Sequence, residues 1–151
     1  MIIDHVNIVV RDLDKMLAFY CDVLGLKKTK DATISGDWIE AVVGLTNVNA
    51  RVIYLGAESG PRVELIKYKT PACLDAPDHG EPHTFGLRHM AFRVEDIDAA
   101  AARLREAGVK VFGGVQQVPD SQVTYQGGAR KRLIYFHDPE GNLLEFCEYK
   151  S

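Results

Sequence analysis

His5, Glu64, His89 and Glu145 are the residues of this 151-residue chain whose types and spacing could do chemistry. They fall at matched points of an internal repeat. Residues 5–14 (HVNIVVRDLD) return as residues 89–98 (HMAFRVEDID) at a constant offset of 84, and residues 63–68 (VELIKY) return as residues 144–149 (LEFCEY) at an offset of 81. A duplicated fold tends to bring equivalent points together, which would gather two imidazoles and two carboxylates. Such nitrogen and oxygen donors, with no thiolate, suit Zn, Ni, Co, Mn or Fe(II), and four protein donors leave positions of an octahedral ion open to water or substrate. One divalent ion held this way can polarise a carbonyl and stabilise the enediolate formed when the adjacent carbon loses a proton. Glu145 or Glu64, loosening its hold on the metal, is the expected base.

The elements that must position these groups follow from periodicity. Residues 5–10 alternate as a strand, with Val6, Ile8 and Val10 on one face and His5, Asn7 and Val9 on the other. The apolar face needs a helix. Asp12 is suited to cap it, Leu13, Leu17, Tyr20 and Leu24 recur at helical spacing, and Gly25 suits a left-handed end. The second copy repeats the logic: Met90, Phe92 and Val94 oppose His89, Ala91 and Arg93, Asp96 caps, Ile97, Ala101 and Leu104 form the stripe, and Gly108 ends it. Residues 38–43, 51–55 and 62–68 read as the later strands of the first module, and 109–112, 133–137 and 142–149 as those of the second. The predicted fold is therefore α+β: two tandem βαβββ modules, about 1–69 and 86–151, joined by a breaker-rich connection at 70–85. Together they are expected to form a single domain whose curved mixed sheet surrounds a metal-containing cleft.

Several residues have a plain structural reading instead. His79 and His83 lie in the connection and are expected to be solvated, His137 sits at a strand end, and Cys147 reads as a small buried thiol. Tyr68 and Tyr149 are repeat equivalents that fit packing at the core edge. Residues 138–142 (DPEGN) form a turn by composition, while Gly113 with Gly114, and residues 126–130, read as loops.

Composition narrows the partner. Eighteen Lys and Arg against 21 Asp and Glu give a net charge of -3 with mixed signs, so nothing advertises nucleic acid or an anionic membrane. No window is apolar enough for a membrane span. Cys21, Cys73 and Cys147 are odd in number and never in a CxxC pair, which argues against a disulfide framework and suits a reducing cytosol. A small molecule is the expected partner, and a cytoplasmic location the expected setting.

The repeated HVNIVVRDLD and HMAFRVEDID motifs, with residues 19–26 (FYCDVLGL) and 136–145 (FHDPEGNLLE), resemble the vicinal oxygen chelate superfamily. That group includes glyoxalase I, methylmalonyl-CoA epimerase, extradiol dioxygenases, and the fosfomycin and bleomycin resistance proteins. The resemblance covers nearly the whole chain and implies paired βαβββ modules around one divalent metal, with His5, Glu64, His89 and Glu145 as ligands, often in a homodimer. It also implies a glyoxalase-like lyase or isomerase acting on a carbonyl or thioester compound, with Glu145 and Glu64 in proton transfer. Of the available cations, Arg130 and Arg132 are the candidates for anchoring an anionic substrate. An Fe(II) dioxygenase and a metal-free drug-binding protein are the alternatives. Glu64 counts against the first, since a fourth carboxylate crowds the face that O₂ and a catechol must share; retention of all four ligand types counts against the second. The 24 residues between Glu64 and His89 are long enough for both halves of the site to come from one chain. Substrate choice is expected in the unmatched parts, residues 35–49 and 116–132.

Overall fold

The computed structural model describes residues 1–151, and the chain divides into two compact units, Met1–Ala76 and Pro77–Ser151. The first unit runs β1 (His5–Val9), α1 (Leu13–Ala18), β2 (Lys27–Ser35), α2 (Asp37–Val43), β3 (Asn49–Gly56) and β4 (Arg62–Thr70). Its sheet has the order β1-β4-β3-β2, with β1 parallel to β4 and the other pairs antiparallel. Asp12 caps α1 as its type dictates, its side chain accepting from the Lys15 amide. A single π-helical turn at Phe19–Val23 then extends the helix to Gly25, whose φ of +80° makes the left-handed stop.

Buried Leu13, Met16 and Tyr20 face one side of this sheet, where Ile53, Leu55 and Leu65 are fully buried. Removing a side chain of that kind from water contributes about 1.5–3 kcal/mol. His5, Asn7 and Val9 stand exposed on the opposite face, as strand alternation requires.

Residues 38–43 are a helix, α2, and not the expected strand. Their apolar residues, Trp38, Ile39, Val42 and Val43, sit at spacings of one, four and five, which lines one side of a helix. Gly36 at φ +88° and Gly44 at φ +69° bracket it. The strand of this part of the module is β2, whose first five residues are all exposed and so carry no apolar alternation.

The second unit contains β5 (His89–Arg93), α3 (Ile97–Glu106), β6 (Val111–Gln117), β7 (Arg130–His137) and β8 (Leu143–Lys150). Its sheet has the corresponding order β5-β8-β7-β6, again with one parallel pair, β5 with β8. Asp96 caps α3 by accepting from the Asp98 and Ala99 amides, and the buried carboxylate of Glu148 accepts from Ile97 at the same helix end. Gly113 and Gly114 belong to β6, where their positive φ values accompany a register slip between Phe112 and Gln116. The chain is α+β and built from two tandem βαβββ modules, the first carrying α2 as an addition.

The 138–142 turn is held by Asp138, which accepts from the Glu140 and Asn142 amides and from the Asn142 side chain. His79 is not simply solvated: it is half-buried, with Nε2 3.0 Å from the Glu140 carbonyl oxygen. His137 Nε2 stands 3.0 Å from the Gly80 carbonyl oxygen, so that part of the connection is fastened to the turn. His83 is exposed. No helix is long and apolar enough to cross a membrane.

Candidate functional site

Each unit presents one His and one Glu from neighbouring parallel strands. In the first, His5 on β1 and Glu64 on β4 share the sheet face away from α1, with His5 Nε2 3.3 Å from Glu64 Oε2. In the second, His89 on β5 and Glu145 on β8 make the equivalent pair, with His89 Nε2 3.1 Å from Glu145 Oε2. The structure therefore brings together His5 with Glu64, and His89 with Glu145. Neither unit gathers three or more His, Cys, Asp or Glu side chains into a group able to hold an ion.

The surroundings of the two pairs are alike in part. Tyr54 on β3 lies opposite Glu64 and Tyr135 on β7 lies opposite Glu145, at the same offset of 81. Their rings meet the imidazoles, with centroids 5.4 Å apart for His5 and Tyr54 and 5.0 Å for His89 and Tyr135. Burial first, and then the facing carboxylate, raises both tyrosine pKa values above the ordinary range. These hydroxyls stay protonated near neutrality and are donors for Glu64 and Glu145. The repeat arithmetic could have identified this tyrosine pair, because its offset is that of the glutamates.

Other neighbours differ. Asn7 donates to Glu64 Oε2 at 2.8 Å, whereas its repeat equivalent is Ala91. His5 Nδ1 lies 2.8 Å from Asp4 Oδ2, and Asp4 also accepts from Arg62. Those two contacts hold the Asp4 carboxyl below its usual range and fix the His5 ring, as a carboxylate behind a ligating imidazole does. In the second unit the distinctive neighbour is Lys131, whose Nζ stands 2.7 Å from Glu145 Oε1. Burial works against the ammonium, but the Glu145 carboxylate outweighs it and the lysine pKa is raised. Cys147 shares this face and is buried, which pushes its thiol upward.

Strand parity puts both candidate anchors, Arg130 and Arg132, on one side of β7 and Lys131 on the other. Arg132 lies on the α3 side of the sheet, with two 2.8 Å contacts to Asp98 and a 3.5 Å contact to the buried Glu148. It is not brought to the His89 and Glu145 pair. Arg130 is exposed, 3.6 Å from Asp120. Lys131, between them in sequence, is the cation that reaches the carboxylate.

The donor sets fit a divalent ion. Two donors about 2.1 Å from an octahedral ion stand about 3 Å apart, and each His–Glu pair has that separation. Glu145 Oε1 is buried and meets the Lys131 ammonium at 2.7 Å, which leaves Oε2, beside His89, as the oxygen available to an ion.

In the first unit a cavity of about 410 Å³ opens beside His5 and Glu64, walled by the sheet on one side and α2 on the other. Its size is within the range of small-molecule pockets.

Comparison with known proteins agrees with this architecture. The family model for the Glyoxalase/Bleomycin resistance protein/Dioxygenase superfamily matches residues 2–146. A probable lactoylglutathione lyase from Synechocystis sp. is 35% identical over 153 residues, covering 100% of this chain and 98% of the relative. A 2-epi-5-epi-valiolone epimerase from Actinomyces sp. is 31% identical over 148 residues, covering 95% of this chain and 76% of that protein. Among solved structures, a glyoxalase family protein from Bacillus cereus superposes with a TM-score of 0.82 at 28% identity, covering 100% of this chain and 95% of that one. This chain belongs to the Glyoxalase/Bleomycin resistance protein/Dioxygenase superfamily.

Proposed function

We propose that this chain is a divalent-metal-dependent lyase or isomerase of the glyoxalase I or epimerase type, acting on a small carbonyl or thioester compound. The observation that carries the reading is the pair of equivalent His–Glu contacts at 3.3 Å and 3.1 Å on matched strands of the two modules. His5, Glu64, His89 and Glu145 are the proposed ligands of one ion, Zn, Ni, Co or Mn ahead of Fe(II). When bound, the ion would act as a Lewis acid that polarises a substrate carbonyl and offsets the charge left by proton loss.

The rest falls to the protein. Glu145 is the proposed base that takes a proton from the carbon beside the carbonyl, and Glu64 its counterpart for returning one. Glu145 suits this role by position, being 2% exposed with Oε2 3.1 Å from His89 Nε2. Tyr135 and Tyr54 are donors that keep the two carboxylates oriented. Of the two arginines, Arg132 is occupied by Asp98, so Arg130, exposed beside Asp120, is the proposed anchor for an anionic substituent. The names of two relatives, a lactoylglutathione lyase and an epimerase, lie in the proposed reaction class. The reading extends to a cytosolic homodimer with both halves of each site from one chain.

The Fe(II) dioxygenase alternative needs a face left open to O₂, which a fourth ligand, Glu64, would crowd. A metal-free drug-binding role leaves the matched His and Glu pairs without a purpose. The deciding experiment is metal analysis of protein purified without chelator, joined to a screen of hemithioacetals, acyl-CoA esters and 2-oxo or 2-hydroxy acids for solvent deuterium exchange. Zn, Ni, Co or Mn with exchange at the carbon beside the carbonyl supports the proposal; iron with oxygen uptake, or no metal at all, overturns it.

A further inference from the structure

The first sheet changes character within one pleat step. Strand register sets Lys30, Tyr54, Glu64 and Asn7 in one row across β2, β3, β4 and β1. The next row on the same face is Ala32, Val52 and Ile66, and the one beyond is Ile34, Ala50 and Tyr68. The charged end of the face therefore adjoins an apolar floor about 7 Å further along the strands.

Helix α2 covers that floor. Trp38 and Val42 line the cavity of about 410 Å³ together with the floor, yet they are 59% and 72% exposed. Large apolar side chains that face a cavity and remain accessible mark a place where an apolar group gains by leaving water. At the other end Lys30 has no carboxylate partner, its ammonium lying 5.9 Å from the centroid of the Tyr54 ring. Glu64 is already engaged by His5 and Asn7.

The second module has no such floor. The repeat equivalents of Ala50, Val52 and Ile66 are Lys131, Leu133 and Cys147, and where α2 stands between β2 and β3 the second module has only a three-residue 3-10 turn, Gln126–Gly128, between β6 and β7. Every residue that lines the cavity belongs to the first module, and α2 lies in the segment where the two halves cease to match.

We propose that this cavity selects the substrate as a small carboxylate with an unbranched or aromatic apolar tail, the carboxylate meeting Lys30 and the tail lying over Val52 and Ile66 beneath Trp38 and Val42. The inference rests on the preceding functional reading for the reaction at His5 and Glu64, while the binding of the tail stands apart from it.

Trp38 is the chain's single tryptophan, so its emission reports on the cavity directly. The test is a titration of the full-length protein, as purified and after chelator, with butyrate, hexanoate, octanoate and 1-hexanol. The expected result is a saturable change in Trp38 emission in both preparations, with affinity rising about four-fold per methylene, the ratio given by about 0.8 kcal/mol for each buried CH₂. Hexanoate should bind about five-fold tighter than hexanol, the ratio an exposed ion pair of about 1 kcal/mol supplies, and Lys30→Met should abolish the preference. Val42→Glu, at an exposed helix position that leaves the fold intact, should weaken octanoate binding at least ten-fold, about 1.4 kcal/mol. Affinity that does not change with chain length, or octanoate binding indifferent to Val42→Glu, overturns the tail site. Equal binding of hexanoate and hexanol overturns the role of Lys30. Failure of any of these leaves metal content and deuterium exchange as they were. Loss of those two with length-dependent binding intact sinks the reaction and not the cavity.

Discussion

Lys131 Nζ stands 2.7 Å from Glu145 Oε1, on the face of the second sheet that also carries His89, while its neighbour Arg132 points the other way and grips Asp98. The proposed base thus carries an internal cation on one oxygen and an imidazole on the other.

Removing that cation leaves a carboxylate that is 2% exposed without its charge partner. Lys131→Met is therefore expected to destabilise the metal-free protein by about 1–3 kcal/mol. A saturating divalent ion should restore more stability to the variant than it adds to the wild type. Thermal denaturation with and without Zn or Ni checks this, and equal metal-induced shifts in the two proteins would contradict the neighbouring roles given to Lys131 and the ion.

Glu145→Gln keeps an oxygen donor but loses the charge and the basicity. Deuterium exchange into the best compound of the screen should fall by roughly 10²–10⁴, the usual contribution of a positioned base. Metal affinity should fall only in part. Full exchange in this variant would remove Glu145 from the chemistry.

A Cβ at Gly80 would collide with the Gly141 carbonyl oxygen and lie 3.0 Å from His137 Nε2. Gly80→Ala should push the connection off the 138–142 turn and cost about 1–3 kcal/mol, as overpacking does. Urea unfolding measures the loss, and the fastening of His79 to Glu140 should loosen with it. An unchanged midpoint would mean that the contact is not part of the folded unit's stability.

The Arg132 guanidinium holds Asp98 below its ordinary pKa. A depressed carboxyl contributes stability that is fully present above the unfolded value, about pH 4, and is lost as pH falls through the folded value. Asp98→Asn should therefore lower the urea midpoint at neutral pH, and the gap to wild type should close as pH falls from about 4 towards 2. A gap that stays constant over that window would show that the pair's charge is not what matters.

Much of this was legible in the chain because the repeat reports on paired positions and strand parity reports on faces. Asp12 and Asp96 cap their helices, and His5 and His89 stand on the face away from those helices, for reasons visible in ten residues each. Glu145 and Tyr149 share a face, and β7 pairs Lys131 with Tyr149, so the same alternation separates Lys131 from Arg130 and Arg132 once the register is known. Register is the part that two strands do not announce singly. Residues 38–43 were ambiguous because a short run with apolar residues on both parities suits a strand or a helix, and the glycines that bracket α2 settle it through backbone geometry. Strand β2 was hidden by its exposed lysines, at an edge where polar side chains are the rule.

The central claim is that two equivalent His–Glu pairs serve one ion. Metal stoichiometry by equilibrium dialysis, with wild type, His5→Ala and His89→Ala, tests it most directly. The account predicts one Zn or Ni per chain in the wild type and loss of that ion in each variant alone, since either histidine is half of the imidazole donors. Retention of tight binding after either single substitution, or two independent ions per chain, would contradict it.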